Sequence, residues 1–513
     1  MDTVCEKPIA MTHQKSSFLN KHKLLLIFLF VYVLLSVLTF DVHLFAGGDN
    51  VVYVILAESI VSGQGYRNIH MAGEPEHAKF PIGFPLILSL FMVVFGKNFI
   101  VFKLFVLSTG IVSVYFMYKI CEQVIGKHAH LVMSVYVTIP LLLEFNHWVL
   151  TEIPFLSVLL MAVYCVMRAE KGATYMYYVA FSAVLFAFFI RTAGVSLVVA
   201  LLVFLLVKKK YSYFGIFFVL FLLAALFWLL RNTRISESSI YVEQFLLRNP
   251  YWLESGRIGI RDLFIRIWNN LIVYMLEYMP ETLLVLPRSA WVHGVIGLLF
   301  SACAIIGFVR RMRHVLLIAV YSVCGLAIVL CWPHVWISAR FLIPLMPFFL
   351  IFWYEGLAWL GNAVRFKYLV AIVIVIIVAL NVIALAMRIE PTISNNIKSL
   401  KGKQYAAYPR DWQHYFETIE WIDKNIPDSA VIMARKPEYV YLIAQNKTIG
   451  YPYTDDRAET QRMVERSDYV ILDNFKWGKR SKHFLRPVIE EMVEHTEVVY
   501  RTDKPVFYLV KVR

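Results

Sequence analysis

Long apolar runs, cut by short polar breaks, set the pattern of this chain from residue 24 to about residue 387. A run of about 18 or more apolar residues reads as a membrane-spanning helix, because the hydrocarbon slab must be crossed in one piece. The first run, Leu24–Phe40, follows a tail carrying Lys15, Lys21 and Lys23. No small-residue cleavage site follows it, so it reads as an uncleaved span and not a signal peptide. Further spans are expected over roughly 99–120, 129–148, 153–168, 175–190, 193–207, 212–230, 291–309, 314–331, 341–361 and 368–387. The pattern thus predicts a polytopic α-helical membrane protein with about 11 transmembrane helices.

One apolar stretch does not fit as a span. Pro81–Phe95 has 15 residues and two prolines, short for about 30 Å of hydrocarbon at about 1.5 Å per residue. Placed in the interface, it leaves every short basic loop on one side: Lys119 with Lys127, Arg168 with Lys171, Lys208–Lys210, Arg310–Arg313, and Arg365 with Lys367. Cationic loops mark the inner side. The N-terminus is then inside and the loop 46–98 outside, together with Asp49, Glu152, Arg191 and Arg340.

Charge and composition sharpen this reading. The chain is 59% hydrophobic with a formal charge of +14. The cations lie in short loops between apolar runs, a membrane signature that argues against nucleic acid as partner. The six cysteines fall in the N-terminal tail or in apolar segments, so no disulfide framework is implied. A second outer segment, 231–290, carries arginines 231, 234, 248, 257, 261 and 266 and no lysine up to Asn270. Guanidinium suits bidentate phosphate contact, and an amphipathic helix meeting lipid headgroups is the alternative. From 390 to 513 the chain turns polar. Asp411–Asn425 reads as helix, and Ala430–Ala434, Asp468–Asp473, Val498–Tyr500 and Val506–Val512 as strands, giving a small exterior α/β domain after a transmembrane domain over 1–389.

The carboxylates matter most. Asp49, in Phe45-Ala-Gly-Gly-Asp-Asn50, and Glu152, in Thr151-Glu-Ile-Pro154, stand where apolar runs break off. A carboxylate at a membrane surface is costly unless it has a partner or a task. As bland readings, Asp49 is a helix-end residue and Glu152 a helix N-terminal acid favoured by the dipole. His43, His70, His77 and His334 are also near the outer face. His77 with Glu74 or Glu76 is the one place for a divalent ion, though no spacing matches a structural metal motif. The sequon Asn446-Lys-Thr448 is read as coincidental.

The order of these features resembles the GT-C glycosyltransferases that use lipid-phosphate sugar donors, among them the protein O-mannosyltransferases and the lipid A aminoarabinose transferase. An acid follows the first span (Gly48-Asp49-Asn50), and a Pro-rich interfacial segment begins at Lys79-Phe-Pro-Ile-Gly-Phe-Pro85. A second acid precedes proline (Glu152-Ile-Pro154), Arg191 ends a later span, and Arg340-Phe-Leu-Ile-Pro344 comes near the last spans. Many relatives have Asp-Glu at the first site, where this chain has Asp49-Asn50.

The resemblance implies a polyprenyl-phosphate sugar donor, with transfer on the outer face of a bacterial plasma (inner) membrane to a lipid, glycan or protein hydroxyl. The residues suit inverting transfer. One general base, Asp49, would take the hydroxyl proton, and Glu152 would orient the acceptor or a basic side chain. Lys79, Arg191 and Arg340 would bind the donor phosphate, with no metal or other cofactor. Two other readings stay open: an O-antigen ligase or polymerase-like transferase with a diphosphate-linked donor, and a lipid-linked-sugar flippase.

Overall fold

The computed structural model describes residues 10–235, 240–285, 290–478 and 481–513; Cys5 lies outside them. Among the described residues, five helices are long and apolar enough to cross a membrane: Phe99–Val124, Glu152–Glu170, Tyr211–Ile235, Trp291–Arg311 and Leu369–Leu400. Shorter apolar helices at His22–Leu38, Met176–Ile190, Thr192–Val207 and Leu316–Cys331 account for four more of the expected spans. The span expected over 129–148 is broken into Ala129–Tyr136 and Pro140–Phe145. Proline at the first position of the second piece cannot donate into the preceding turn, so the helix stops and restarts there. The span expected from 341 starts at Met346, after a 3₁₀ turn at Ala339–Leu342.

Two helices lie in the loop between the first two spans. Asn50–Val61, which the polar pattern around it concealed, directly follows Asp49. Gly83–Phe95 has 13 residues, about 20 Å at helical rise, too short to span. Gly83 lets this helix start against the end of Met176–Ile190, since a Cβ there would lie 2.6 Å from the carbonyl oxygen of Phe189.

Helices Ala290–Arg311 and Met346–Ala363 pack most closely, through glycine on both sides. A methyl on Gly307 would overlap the Phe352 carbonyl, and one on Gly356 the Cys303 carbonyl. Small residues permit this approach where lipid supplies no hydrophobic drive between helices. At the end of the bundle away from Asp49, Arg311 donates to the Val124 carbonyl (2.9 Å) and pairs with Glu355 (2.8 Å).

Helix Leu369–Leu400 runs unbroken past residue 389, with Pro391 inside it, and leads into the C-terminal domain. That domain carries a five-stranded sheet, β1 (Ile432–Ala434), β2 (Thr448–Gly450), β3 (Tyr469–Leu472), β4 (Thr496–Arg501) and β5 (Tyr508–Val512), in the order β2-β1-β3-β5-β4. β2, β1 and β3 are parallel, and β5 and β4 run antiparallel to their neighbours. Helix Arg410–Asn425 packs on the sheet, burying Trp412, Tyr415, Phe416 and Ile419 on one face.

The domain is fastened to the loop after the first span. Met71 bridges Thr448 at the open edge of β2, and the His70 carbonyl accepts from the Thr448 amide (2.9 Å) and hydroxyl (2.7 Å). Lys447 pairs with Glu74 at 2.6 Å. Asn446 is fully buried, its amide donating to the carbonyls of Pro427 and Ala430, so the sequon is structural and closed to glycosylation.

Candidate active site

Four of the five residues singled out as catalytic or phosphate-binding converge at one end of the bundle. Asp49 immediately precedes helix Asn50–Val61, placed there by Gly48 at φ +75°, a conformation glycine adopts freely. Glu152 opens helix Glu152–Glu170. Arg191 follows helix Met176–Ile190 in extended conformation, ahead of a 3₁₀ turn at Thr192–Gly194. Arg340 sits in the 3₁₀ turn Ala339–Leu342, its amide capped by the Ser338 hydroxyl. Every one of these lies at the end of a helix or in a short turn beside one.

The two arginines differ in how far they are committed. Arg191 Nη1 lies 2.7 Å from Glu152 Oε1 and 3.0 Å from the Thr151 hydroxyl. The Glu152 side chain is only 3% exposed, so this is a buried ion pair that holds Arg191 in place. Arg340 stands farther off, 3.8 Å from Glu152 Oε1 and 3.9 Å from Asp49 Oδ2. Those distances exceed hydrogen-bond length. Both Arg340 and Asp49 keep more than a quarter of their side chains exposed. Arg340 is therefore free to take a further anionic partner without first breaking a short bond. Among the described residues, Glu152 Oε2 is buried and has no partner of its own.

Two phenols stand in the electrostatic neighbourhood of Asp49: Tyr53, one turn further along its helix, and Tyr241, whose hydroxyl bonds Thr192. Tyr53 is not among the residues singled out from the sequence, where the i, i+4 spacing from Asp49 is the one available signal for it. Nothing in the local pattern marked Tyr241, which comes from the Arg-rich segment. Asn50 has a structural part. Its Nδ2 donates to the Phe45 carbonyl (2.8 Å), which also accepts from the Tyr439 hydroxyl of the C-terminal domain (2.6 Å). An ionised carboxylate at position 50 could not donate that bond. Glu438 brings the C-terminal domain close to Asp49; burial raises its carboxyl above the ordinary range, Lys436 opposes this, and Asp49 adds to it.

Lys79 does not touch this cluster. Its ammonium lies over the Phe80 ring, 4.9 Å from the centroid, and Phe80 in turn packs on Tyr53. His77 is occupied on both ring nitrogens: Nδ1 bonds Asn68 Oδ1 (2.7 Å) and Nε2 accepts from the Phe80 amide (2.8 Å). Glu74 pairs with Lys447, and Glu76 lies 3.7 Å from both Arg67 and Arg231. The His77 neighbourhood is thus a hydrogen-bonded structural unit. His334 bonds Asn270 Oδ1. Three of the six arginines in 231–270 act within the fold: Arg231 on the His77 carbonyl, Arg248 on Asp262, and Arg266 on the Phe245 and Leu247 carbonyls.

The chain has the fold of a known membrane protein, ArnT. Two solved structures share it across nearly their whole length. ArnT from Cupriavidus metallidurans in the apo state superposes with a TM-score of 0.58 at 10% identity, over 94% of this chain and 97% of that one. The same protein bound to undecaprenyl phosphate gives 0.57 at 10% identity, over 95% and 98%. By sequence, the chain belongs to the family described as predicted membrane protein (DUF2079), whose model matches residues 76–497. No curated protein sequence matches it.

Proposed function

We propose that this integral membrane protein moves a sugar from a polyprenyl-phosphate donor to an acceptor hydroxyl, with inversion, on the outer side of a bacterial plasma membrane. The observation that carries the reading is the meeting of Asp49, Glu152, Arg191 and Arg340 within ion-pair reach at one end of the bundle. The likeness to ArnT bound to undecaprenyl phosphate supports the donor class.

The chemistry follows from the charges. The acceptor oxygen attacks the anomeric carbon, the bond from that carbon to the phosphate oxygen breaks, and the phosphate departs with the electron pair. The hydroxyl proton passes to Asp49, the more exposed carboxylate, which has no short ion pair to break. Arg340 stabilises the departing phosphate, to which it can turn without breaking a short bond. Glu152 is a positioning residue: it locks Arg191 and balances the charge of the pair. No step calls for a divalent ion, and activity is expected to survive exhaustive chelation. A flippase would place its charges along a path through the slab, whereas these gather at one end.

The test is release of polyprenyl phosphate when purified protein in nanodiscs meets a panel of polyprenyl-phosphate sugars and candidate acceptors. Asp49→Asn keeps the shape but not the base, so turnover should fall at least 100-fold with donor affinity little changed. Wild-type turnover in that variant would remove Asp49 from the mechanism.

A further inference from the structure

The end of the bundle away from Asp49 gathers positive charge on two neighbouring helices. Helix Met346–Ala363 begins just after the turn that holds Arg340 and runs 18 residues, about 27 Å, before it stops. Helix Ala290–Arg311 ends beside it. Arg311 pairs with Glu355 there, and the Arg310 guanidinium lies over the Trp359 ring, 5.9 Å from its centroid. Arg313 follows the first helix end, and Arg365 and Lys367 follow the second.

Four of these cations, Arg310, Arg313, Arg365 and Lys367, have no acid to balance them. From Thr282 to Ile389 the chain holds one acid, Glu355, and Arg311 takes it at 2.8 Å. Among the described residues none of the four makes an ion pair, and all four are exposed. The two helix C-termini contribute roughly half a negative charge each, about one charge against four. The bias of basic loops toward one side of a membrane accounts for cations at this end, but it supplies no partner for them.

Arg365 keeps its place at some cost. The Phe366 amide donates to the Gly361 carbonyl (2.8 Å) and the Arg365 amide to the Asn362 carbonyl (3.1 Å), closing the helix with Arg365 at φ +56°. That left-handed position is most often filled by glycine. An arginine there retains a charge that backbone energy alone would give up. Beside the cations stand the exposed rings of Trp359, Phe366 and Tyr368, with the Lys367 ammonium 4.8 Å from the Tyr368 centroid. An apolar track leads away from Arg310 and Arg313 toward the middle of the span: Val309 and Ile305, one turn apart on helix Ala290–Arg311, are both exposed.

We infer that this face binds an anionic phospholipid, its phosphate among Arg310, Arg313, Arg365 and Lys367 and its acyl chains along Val309 and Ile305. Three features select that occupant. Guanidinium groups without carboxylate partners suit a phosphodiester, which accepts two parallel hydrogen bonds. Tryptophan and tyrosine beside them belong at headgroup depth, one end of each ring system apolar and the other wet. A soluble anion makes no use of the apolar track, whereas acyl chains cover it. A zwitterionic headgroup would bring its own ammonium against four cations and is disfavoured. The site stands whether or not Asp49 catalyses transfer.

Native mass spectrometry tests this. Full-length protein in a neutral detergent is titrated with dioleoyl phosphatidylglycerol or dioleoyl phosphatidylcholine, and bound lipids are counted. The first phosphatidylglycerol should bind about tenfold tighter than phosphatidylcholine, or more. Arg310→Gln combined with Arg313→Gln should reduce that preference about threefold or more. Arg365→Gly should reduce it as much, while placing at the left-handed turn the residue that turn favours. Lys208→Gln combined with Lys210→Gln, in another basic loop, should leave the preference unchanged. Equal affinity for the two lipids overturns the inference, as does a preference that survives both sets of arginine variants or falls equally with the two lysines. Displacement of phosphatidylglycerol by millimolar inorganic phosphate would make this a site for a soluble anion, and overturns it too.

Discussion

Glu152 holds Arg191 at 2.7 Å and leaves its own second oxygen without a partner among the described residues. The pair is nearly sealed from water on the carboxylate side, so its members cannot be removed singly without stranding a charge. Arg340 reaches the same Glu152 oxygen only at 3.8 Å. The two arginines therefore fail differently when changed.

Arg191→Gln should cost stability first, by about 3–5 kcal/mol, because Glu152 loses its one short charge partner. Arg340→Gln should fold normally and weaken donor binding at least tenfold. Thermal unfolding in detergent and donor titration separate the two. Equal donor affinity in wild type and Arg340→Gln would leave Arg340 without a role in phosphate binding.

Asn50→Asp should harm the protein although it restores an acidic pair. The change removes the donor to the Phe45 carbonyl and buries a second negative charge beside Asp49. A loss of about 1–3 kcal/mol is expected, with reduced turnover. An unaltered melting temperature would show that the bond to Phe45 contributes nothing.

The loop that ties the first span to the sheet should loosen in acid. Burial, with Lys447 adding to it, lowers His70 to about 4, and burial with Lys79, His70 and Arg231 lowers His77 to about 3. Both are held neutral in the fold, so the unfolded chain binds more protons below its ordinary histidine value. Their stabilisation is complete above about pH 6.5 and is lost as pH falls toward 4 and then 3. Melting temperatures between pH 7.5 and pH 4.5 should drop, less steeply in His70→Gln. An identical slope in that variant would rule out His70 as a contributor.

Gly356→Ala should separate two spans. The added methyl meets the Cys303 carbonyl, which is backbone and cannot rotate away, so helices Ala290–Arg311 and Met346–Ala363 must part. A cost of about 1–3 kcal/mol is expected. Wild-type thermal stability would mean that the helices can slide at no cost.

The helical spans were legible because an apolar run of spanning length is too long for the core of a small domain and matches the thickness of a bilayer. Asp49, Glu152, Arg191 and Arg340 could be singled out because each charged residue sits where such a run ends, and a charge there demands a reason. Their convergence was not legible, since residues 49, 152, 191 and 340 meet only through tertiary packing. The break at Pro140 was available in the sequence, but the apolar residues on both sides read as one run. Helix Asn50–Val61 and strand β2 were hidden for opposite reasons, the first inside a polar loop and the second only three residues long.

Helix Leu369–Leu400 works as a fixed ruler. Its first 20 residues, ending at Arg388, rise about 28 Å, close to the thickness of the hydrocarbon slab, and the remaining 12 carry it about 18 Å beyond. Arg388 therefore stands about one slab's thickness from the start of the helix, and the last 12 residues hold the C-terminal domain about three turns clear of that point.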